Sequence, residues 1–185
     1  MSDLAHSFDR YTYKDLKNWP NDFRCELIDG VVYMMSSPSG WHQRMSMSLG
    51  RQLGNFFEGK DCQPFAAPYD VRLFPQEDEQ DNVIVQPDLM VICDKSKWSD
   101  GGICNGPPDL IIEILSDSTR SFDLDTKYNQ YKKAGVREYW IIGEDAVKVC
   151  QFQTNGNVVE QIYDLTGSWE VPSAIFPGLS LRFGQ

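Results

Sequence analysis

The fold is decided by one short stretch, LIIEIL at residues 110–115, in which five of the six side chains are apolar. A short run that is almost wholly apolar is typical of a strand buried on both faces of a sheet. The stretches around it alternate between helical and strand patterns. We therefore predict an α/β fold, and one domain over residues 1–185, because no linker, repeat or low-complexity tract divides the chain.

Helices are predicted where apolar residues recur at helical spacing next to capping or breaking residues. Thr12 is the expected cap of the N-terminal helix, and Gly135 is expected to end the last one. The predicted helices are Tyr11–Trp19, Trp41–Glu58 and Ser121–Ala134.

Strands are predicted for the apolar segments that turn residues separate. Asp29-Gly30 between two apolar segments is a strong signal for a hairpin. Besides residues 110–115, the predicted strands are Cys25–Ile28, Val31–Met34, Pro68–Phe74, Val83–Cys93, Glu138–Ile142, Val147–Phe152 and Val158–Tyr163.

The composition, 41% hydrophobic and 24% charged, is that of a globular protein. No apolar run approaches the roughly 20 residues that cross a bilayer, and the N-terminal segment shows no secretion signal. The five cysteines are an odd number without a CxxC pair, which indicates a reducing compartment. Free thiols that behave as small hydrophobic groups are expected at Cys25, Cys93 and Cys150. We expect a cytoplasmic protein.

The net charge of −10 bears on function. It counts against a protein that coats nucleic acid by electrostatic attraction alone, because affinity for DNA comes largely from cationic side chains that displace counterions. It does not exclude a nuclease, because a cluster of active-site carboxylates adds negative charge that a bound metal partly neutralises.

Two carboxylates interrupt apolar runs: Glu113 within residues 110–115 and Asp88 within residues 83–92. A buried carboxylate must be neutralised by a proton, a structural ion pair or a metal. If the two strands are neighbours, opposite side chains lie about 5 Å apart and offer oxygen ligands that suit Mg²⁺. Asp109 lies about 13 Å from Glu113 along the strand, too far to share one ion, and is expected to begin the strand.

Lys127 follows Glu113 in the next predicted helix and shares a face with Tyr131 at i+4. An ammonium group near a metal orients an attacking water or stabilises negative charge on a phosphate. A surface salt bridge with Asp123, four residues earlier, is an equally good interpretation. Tyr131 is expected to be a core residue.

Four motifs together resemble the Uma2 family, formerly the domain of unknown function DUF820. One motif alone is weak, but the ordered set is specific and spans the chain from about Tyr11 to Phe183. The motifs are ELIDG at residues 26–30, QPDL at 86–89, PDLIIEILS at 108–116 and KxxxYxxxGVxEYW at 127–140.

The resemblance implies the PD-(D/E)XK nuclease superfamily, with a restriction-endonuclease-like core in which helices flank a central mixed β-sheet. We expect additional strands at the N- and C-terminal ends. It also implies hydrolysis of phosphodiester bonds that depends on Mg²⁺ (or Mn²⁺), with Asp88 and Glu113 as the two acids that hold the metal.

This sequence departs from the superfamily pattern, because the residue two positions after Glu113 is Leu115 where the pattern has lysine. In proteins that look like this one, the lysine is taken to have moved to the following helix, which Lys127 fits. Glu26 and His42 match positions that, in the family, point toward the same pocket. A solvent-facing hairpin position for Glu26 and a packed core position for His42 remain open.

The functional hypothesis is therefore an endonuclease with nucleic acid, expected to be DNA, as its substrate. One alternative is a non-catalytic binding or assembly module on the same fold, and another is a hydrolase of small phosphoesters. The resemblance and the aromatic C-terminal segment also allow a homodimer.

Overall fold

The computed structural model describes residues 10–20, 23–99, 101–116, 120–167 and 169–184. The expectation of no secretion signal concerns residues 1–15, of which 1–9 lie outside the described residues. Within the described ranges, no helix has the length and apolar composition that crossing a bilayer requires.

The helices form where the apolar periodicity predicted them. The Ser39 side chain caps α2 by accepting a hydrogen bond from the backbone N–H of His42 at 3.2 Å. Gly135 ends α3 with φ +87, a left-handed conformation that glycine adopts without a steric penalty. The helices are α1 (Tyr13–Leu16), α2 (Gly40–Phe57) and α3 (Tyr128–Ala134), with a 3₁₀ turn at Lys95–Lys97 and a π-helical segment at Phe122–Lys127.

The strands of the described residues account for most of the regular structure. They are β1 (Cys25–Ile28), β2 (Val31–Met34), β3 (Gln63–Ala66), β4 (Asp70–Arg72), β5 (Ile84–Val85), β6 (Leu89–Ile92), β7 (Trp98–Ser99), β8 (Ile103–Asn105), β9 (Leu110–Ile114), β10 (Glu138–Ile142), β11 (Ala146–Phe152), β12 (Val158–Asp164), β13 (Trp169–Pro172) and β14 (Ser180–Phe183).

The central sheet has the order β12-β11-β10-β9-β6-β3. The β9–β10 pair is parallel and the other neighbours are antiparallel, so the predicted mixed sheet is confirmed. A parallel pair needs a crossover connection, which the π-helical segment and α3 supply here. This crossover places Tyr131 of α3 in the same core as Ile111 of β9.

A second sheet has the order β2-β1-β5-β4-β8-β7, and a separate hairpin joins β13 to β14. The prediction of one strand at Val83–Cys93 is wrong, because β5 belongs to the second sheet and β6 to the central sheet. Pro87 lies at the break and has no N–H to donate to a ladder. The predicted strand Pro68–Phe74 is also too long, because only β4 pairs within it.

Each face of the central sheet carries a hydrophobic core. On one face α2 and the β13–β14 hairpin pack against Leu110, Ile112 and Ile114 of β9. On the other face α3 and the second sheet pack against Ile111. Because side chains alternate along a strand, Glu113 points to the same face as Ile111. Its carboxylate therefore lies between the central sheet, α3 and the second sheet.

The expectation of a free thiol at Cys93 is wrong, because Cys93 forms a disulfide with Cys62, 31 residues earlier. The disulfide links the residue before β3 to the residue after β6, two strands that pair in the central sheet. The other cysteines, Cys25, Cys104 and Cys150, are free and buried, as a small hydrophobic group would be.

Candidate active site

Asp88 and Glu113 lie side by side where β6 and β9 pair. Leu89 is opposite Ile112 in this antiparallel register, so the residue before β6 falls opposite Glu113. The backbone N–H of Asp88 lies 3.4 Å from Glu113 Oε2, and Asp88 Oδ2 accepts a hydrogen bond from the backbone N–H of Ile114 at 2.8 Å. The structure thus brings together the two acids that the sequence singled out.

Lys127 is buried among three carboxylates. Its Nζ lies 2.9 Å from Glu26 Oε1 and 3.0 Å from Glu113 Oε1. Asp123 Oδ1 lies 3.4 Å from the same nitrogen. The interpretation of a surface salt bridge to Asp123 is wrong, because these side chains are at most 6% exposed. Since Glu26 belongs to β1 and Glu113 to β9, the ammonium group joins the two sheets.

The π-helical segment Phe122–Lys127 contains two charged side chains of this cluster. Its hydrogen bonds run from residue i to i+5, a rare arrangement that occurs often at functional sites. Asp123 and Lys127 are its buried residues and both face the carboxylate of Glu113. The sequence predicted an ordinary helix here, and nothing in the apolar pattern distinguishes the two.

Tyr131 belongs to the site as well as to the core, where it was expected. Its ring is fully buried against Tyr139, with 4.9 Å between the ring centroids. Its hydroxyl donates a hydrogen bond of 2.7 Å to Glu113 Oε1. The signal that could have found this contact is the i+4 spacing from Lys127, because a buried tyrosine hydroxyl needs a polar partner.

Glu26 and His42 also reach this cluster. Glu26 is 5% exposed, so the solvent-facing interpretation is wrong, and its Oε1 accepts a hydrogen bond from the backbone N–H of Gln86 at 2.8 Å. His42 Nε2 lies 3.1 Å from Asp88 Oδ2. This contact raises the pKa of His42, against the effect of its partial burial, and so favours the imidazolium form.

Asp109, the second acid that follows a proline, lies away from the cluster. Its Oδ2 accepts a hydrogen bond from the backbone N–H of Cys93 at 2.8 Å, and its Oδ1 pairs with Arg137 at 3.0 Å. It precedes β9, as the sequence predicted for a residue that begins the strand.

The cluster carries more negative than positive charge. The ammonium group of Lys127 contacts three carboxylates, those of Glu26, Glu113 and Asp123, and the fourth, Asp88, contacts the imidazole of His42. Burial raises the pKa of Glu113 well above its usual value, and the nearby acids add to the rise while the ammonium group opposes it. Burial also lowers the pKa of Lys127, but the surrounding carboxylates raise it well above its usual value in total. Lys127 therefore stays charged.

The carboxylate oxygens of the cluster fit a cation that takes two protein ligands. Among the described residues, no group of three or more His, Cys, Asp or Glu side chains is placed to hold one ion. Asp88 Oδ1 accepts no hydrogen bond from a described residue, and Glu113 Oε2 has only the long contact to the backbone N–H of Asp88. Mg²⁺ commonly takes one or two carboxylates and keeps several waters, which matches these two oxygens.

The carboxylates lie in a cavity of about 1080 Å³ between α2, the β1–β2 hairpin and the π-helical segment. Glu26, His42, Asp88, Glu113 and Lys127 all line it. Asp88 is 16% exposed and Glu113 4%, so the acids form its floor rather than its rim. A ligand must enter the cavity to reach them.

Comparison with known proteins gives three kinds of match. The model of the Uma2 family, described as "Putative restriction endonuclease", matches residues 12–184. Two uncharacterized proteins of Synechocystis sp. are similar in sequence. The chain is 28% identical to sll1609 over 146 residues, which are 78% of this chain and 80% of that protein. It is 24% identical to slr1290 over 159 residues, which are 82% of this chain and 80% of that protein.

A crystal structure from Anabaena variabilis ATCC 29413, described as "a putative nuclease belonging to DUF820", superposes with a TM-score of 0.68. The superposition covers 88% of this chain and 89% of that one at 19% sequence identity. At this identity the match shows a shared fold.

Proposed function

Because this chain belongs to the Uma2 family, we propose that it is a metal-dependent endonuclease that hydrolyses phosphodiester bonds of nucleic acid in the cavity. The observation that carries the proposal is the pairing of Asp88 with Glu113 at the cavity floor, each with one carboxylate oxygen left without a close donor from the described residues. Two acids held this close in a partly dry site are both ionised only when positive charge lies beside them.

In this proposal Asp88 and Glu113 hold the divalent cation, Mg²⁺ or Mn²⁺. Such an ion lowers the pKa of water and stabilises negative charge on a phosphate when it is bound. The charge balance supports it, because four carboxylates share two cationic partners, the ammonium group of Lys127 and the imidazole of His42.

The remaining residues act by holding the two acids in place. Lys127 and Tyr131 both donate to Glu113 Oε1, which leaves Oε2 directed away from them. His42 and the backbone N–H of Ile114 fix Asp88 Oδ2 in the same way. These contacts restrict the carboxylate rotamers, and a rigid pair of oxygens binds a small cation better than a mobile pair.

Lys127 has less freedom than its predicted role toward water assumes. All three of its N–H donors face carboxylates, so contact with water or phosphate requires the release of one of them. Asp123 is the longest contact at 3.4 Å and is the one we expect to be released. As long as all three contacts are kept, Lys127 only holds Glu113 and Glu26 in position.

The test compares two acids that share the same Pro-Asp sequence. Purified protein is incubated with plasmid DNA, single-stranded DNA or RNA, with Mg²⁺, Mn²⁺ or chelator. We expect cleavage that requires the metal, and its loss in Asp88→Asn. The matched control is Asp109→Asn, which removes a carboxylate outside the cavity. Cleavage that survives in Asp88→Asn at the rate of the unmodified protein contradicts the proposal.

A non-catalytic binding module is the second candidate, and the net charge of −10 favours it. Titration calorimetry with Mn²⁺ separates the two, because a module without the metal site releases no heat of binding. If Mn²⁺ binds to the unmodified protein and not to Asp88→Asn, the metal site is supported independently of cleavage.

A further inference from the structure

We propose that the cavity takes an unpaired stretch of nucleic acid, with one base stacked on Tyr33 and Phe122 and the backbone following the exposed face of α2. This inference rests on the proposed function and specifies its substrate as single-stranded or locally unpaired. The source of that strand, DNA or RNA, is left to the experiment, since the contacts below involve bases and phosphates that both share.

An aromatic pair forms part of the cavity wall. The ring centroids of Tyr33 and Phe122 are 4.4 Å apart with 37° between their planes, and both residues line the cavity. Tyr33 is opposite Glu26 in the β1–β2 hairpin, which places it beside the carboxylate cluster. It is 39% exposed and belongs to neither hydrophobic core. Its ring is therefore available to a ligand.

Such a pair meets a base only when that base is unstacked. In a duplex the bases stack on each other, whereas proteins that bind single strands stack successive bases on aromatic side chains. The recessed acids favour the same substrate, because Glu113 is only 4% exposed at the cavity floor. A duplex is stiff and bends at a cost, while a single strand follows a concave surface.

The second observation is the charge of α2. Its 18 residues include Arg44 and Arg51 but no Asp or Glu, in a chain whose net charge is −10. Neither arginine forms an ion pair with a described carboxylate. The two are seven residues apart and so share one face of the helix. The helix therefore offers donors to phosphates and has no acid of its own on this face.

The exposed face of α2 also leads out of the cavity. Arg51 lines both the cavity with the acids and a second cavity of about 950 Å³, which Arg44 and Arg182 line together with Glu144 and Glu170. A strand that leaves the first cavity over α2 passes both arginines of the helix. Two phosphate contacts predict only a shallow dependence on salt, a slope of about −1.4 in log K against log salt for a single strand.

The first test measures base stacking by fluorescence anisotropy. The probes are labelled oligothymidylate, oligouridylate and a blunt duplex of the same length, each bound to protein that carries Asp88→Asn so that no probe is cut. We expect the single strands to bind more tightly than the duplex. Tyr33→Ala is expected to weaken single-strand binding by about 5-fold or more. The control, Trp169→Ala, removes an aromatic side chain of similar exposure outside the cavity.

The second test adds one acid to the face of α2. Gly54 lines the cavity, and a Cβ added there meets no atom within 4 Å, so a longer side chain fits. Gly54→Glu is expected to weaken binding several-fold at low salt and less at high salt. Gly54→Gln, its neutral control, is expected to bind as the parent does. Neither change should lower the melting temperature, because glycine is a poor helix former.

The outcomes separate this inference from the proposed function. Tighter binding of the duplex, or equal losses for Tyr33→Ala and Trp169→Ala, overturns the unpaired substrate even if metal-dependent cleavage is found. Equal binding by the Gly54→Glu and Gly54→Gln variants overturns the path over α2. If Asp88→Asn still cleaves DNA, the proposed metal site fails, and the binding comparison is repeated with nuclease-resistant phosphorothioate probes so that it still tests the unpaired substrate.

Discussion

Replacement of Lys127 by methionine tests the electrostatic account of the cluster. Methionine fills much of the same volume but leaves three buried carboxylates without the ammonium group that contacts each of them. Breaking a buried ion pair from one side costs about 3–5 kcal/mol of unfolding free energy. For a chain of this size each kcal/mol lowers the melting temperature by about 2–4 °C, so we expect a decrease of about 6–20 °C near neutral pH.

The loss depends on pH in a definite direction. Burial already raises the pKa values of Glu113 and Glu26, and Lys127, which lowers both, is absent from the variant. Groups with a raised folded pKa contribute stability that is fully present below the unfolded pKa and is lost as pH rises through the folded one. The variant should therefore recover part of its stability as the pH falls from neutral toward the usual pKa of glutamate.

Differential scanning fluorimetry across this pH range measures both effects. Lys132→Met is the matched control, because Lys132 lies on α3, which directly follows the segment of Lys127, with its side chain exposed. A Lys127→Met variant that melts with the control at every pH, or that is destabilised further as pH falls, refutes the account.

Two further predictions follow from the buried groups. Tyr131→Phe removes the hydroxyl that donates to Glu113. We expect urea denaturation to show a loss of about 1.5–3 kcal/mol in the free energy of unfolding, which is typical of a hydrogen bond to a charged group. A loss near zero contradicts that contact. Burial raises the pKa of Cys25 to about 11 and those of Cys104 and Cys150 to about 12. Iodoacetamide should therefore label these thiols only after unfolding, as mass spectrometry would show, and rapid labelling of the folded protein contradicts their burial.

Local patterns predicted the elements that local interactions decide. The hairpin around Asp29-Gly30 and the strand Glu138–Ile142 have the bounds that the sequence indicated. The helix that contains His42 is displaced by one residue at each end. The turn residues and the apolar period are complete within each segment, so no distant contact is needed to recognise it.

The errors lie where distant segments decide the outcome. Residues 83–93 look like one strand, but the chain passes from one sheet to the other at Pro87. The bond between Cys62 and Cys93 depends on the pairing of β3 with β6. The sequence does not predict β3 as a strand, because the segment contains a proline. The sequence predicts Tyr131 as a core residue but not the hydrogen bond from its hydroxyl to Glu113, because an apolar helix face does not show which partner a buried hydroxyl has.

The link that Lys127 makes between β1 and β9 has a consequence for how this protein tolerates substitution. Apolar side chains of similar volume in place of the buried acids and the lysine are often neutral or stabilising for a fold. Here the same replacement removes the oxygens that the proposed chemistry uses. A search for more thermostable variants should therefore reject single changes at these positions but accept an apolar replacement of the whole group, which loses function, so stability alone is a poor criterion for selecting useful variants.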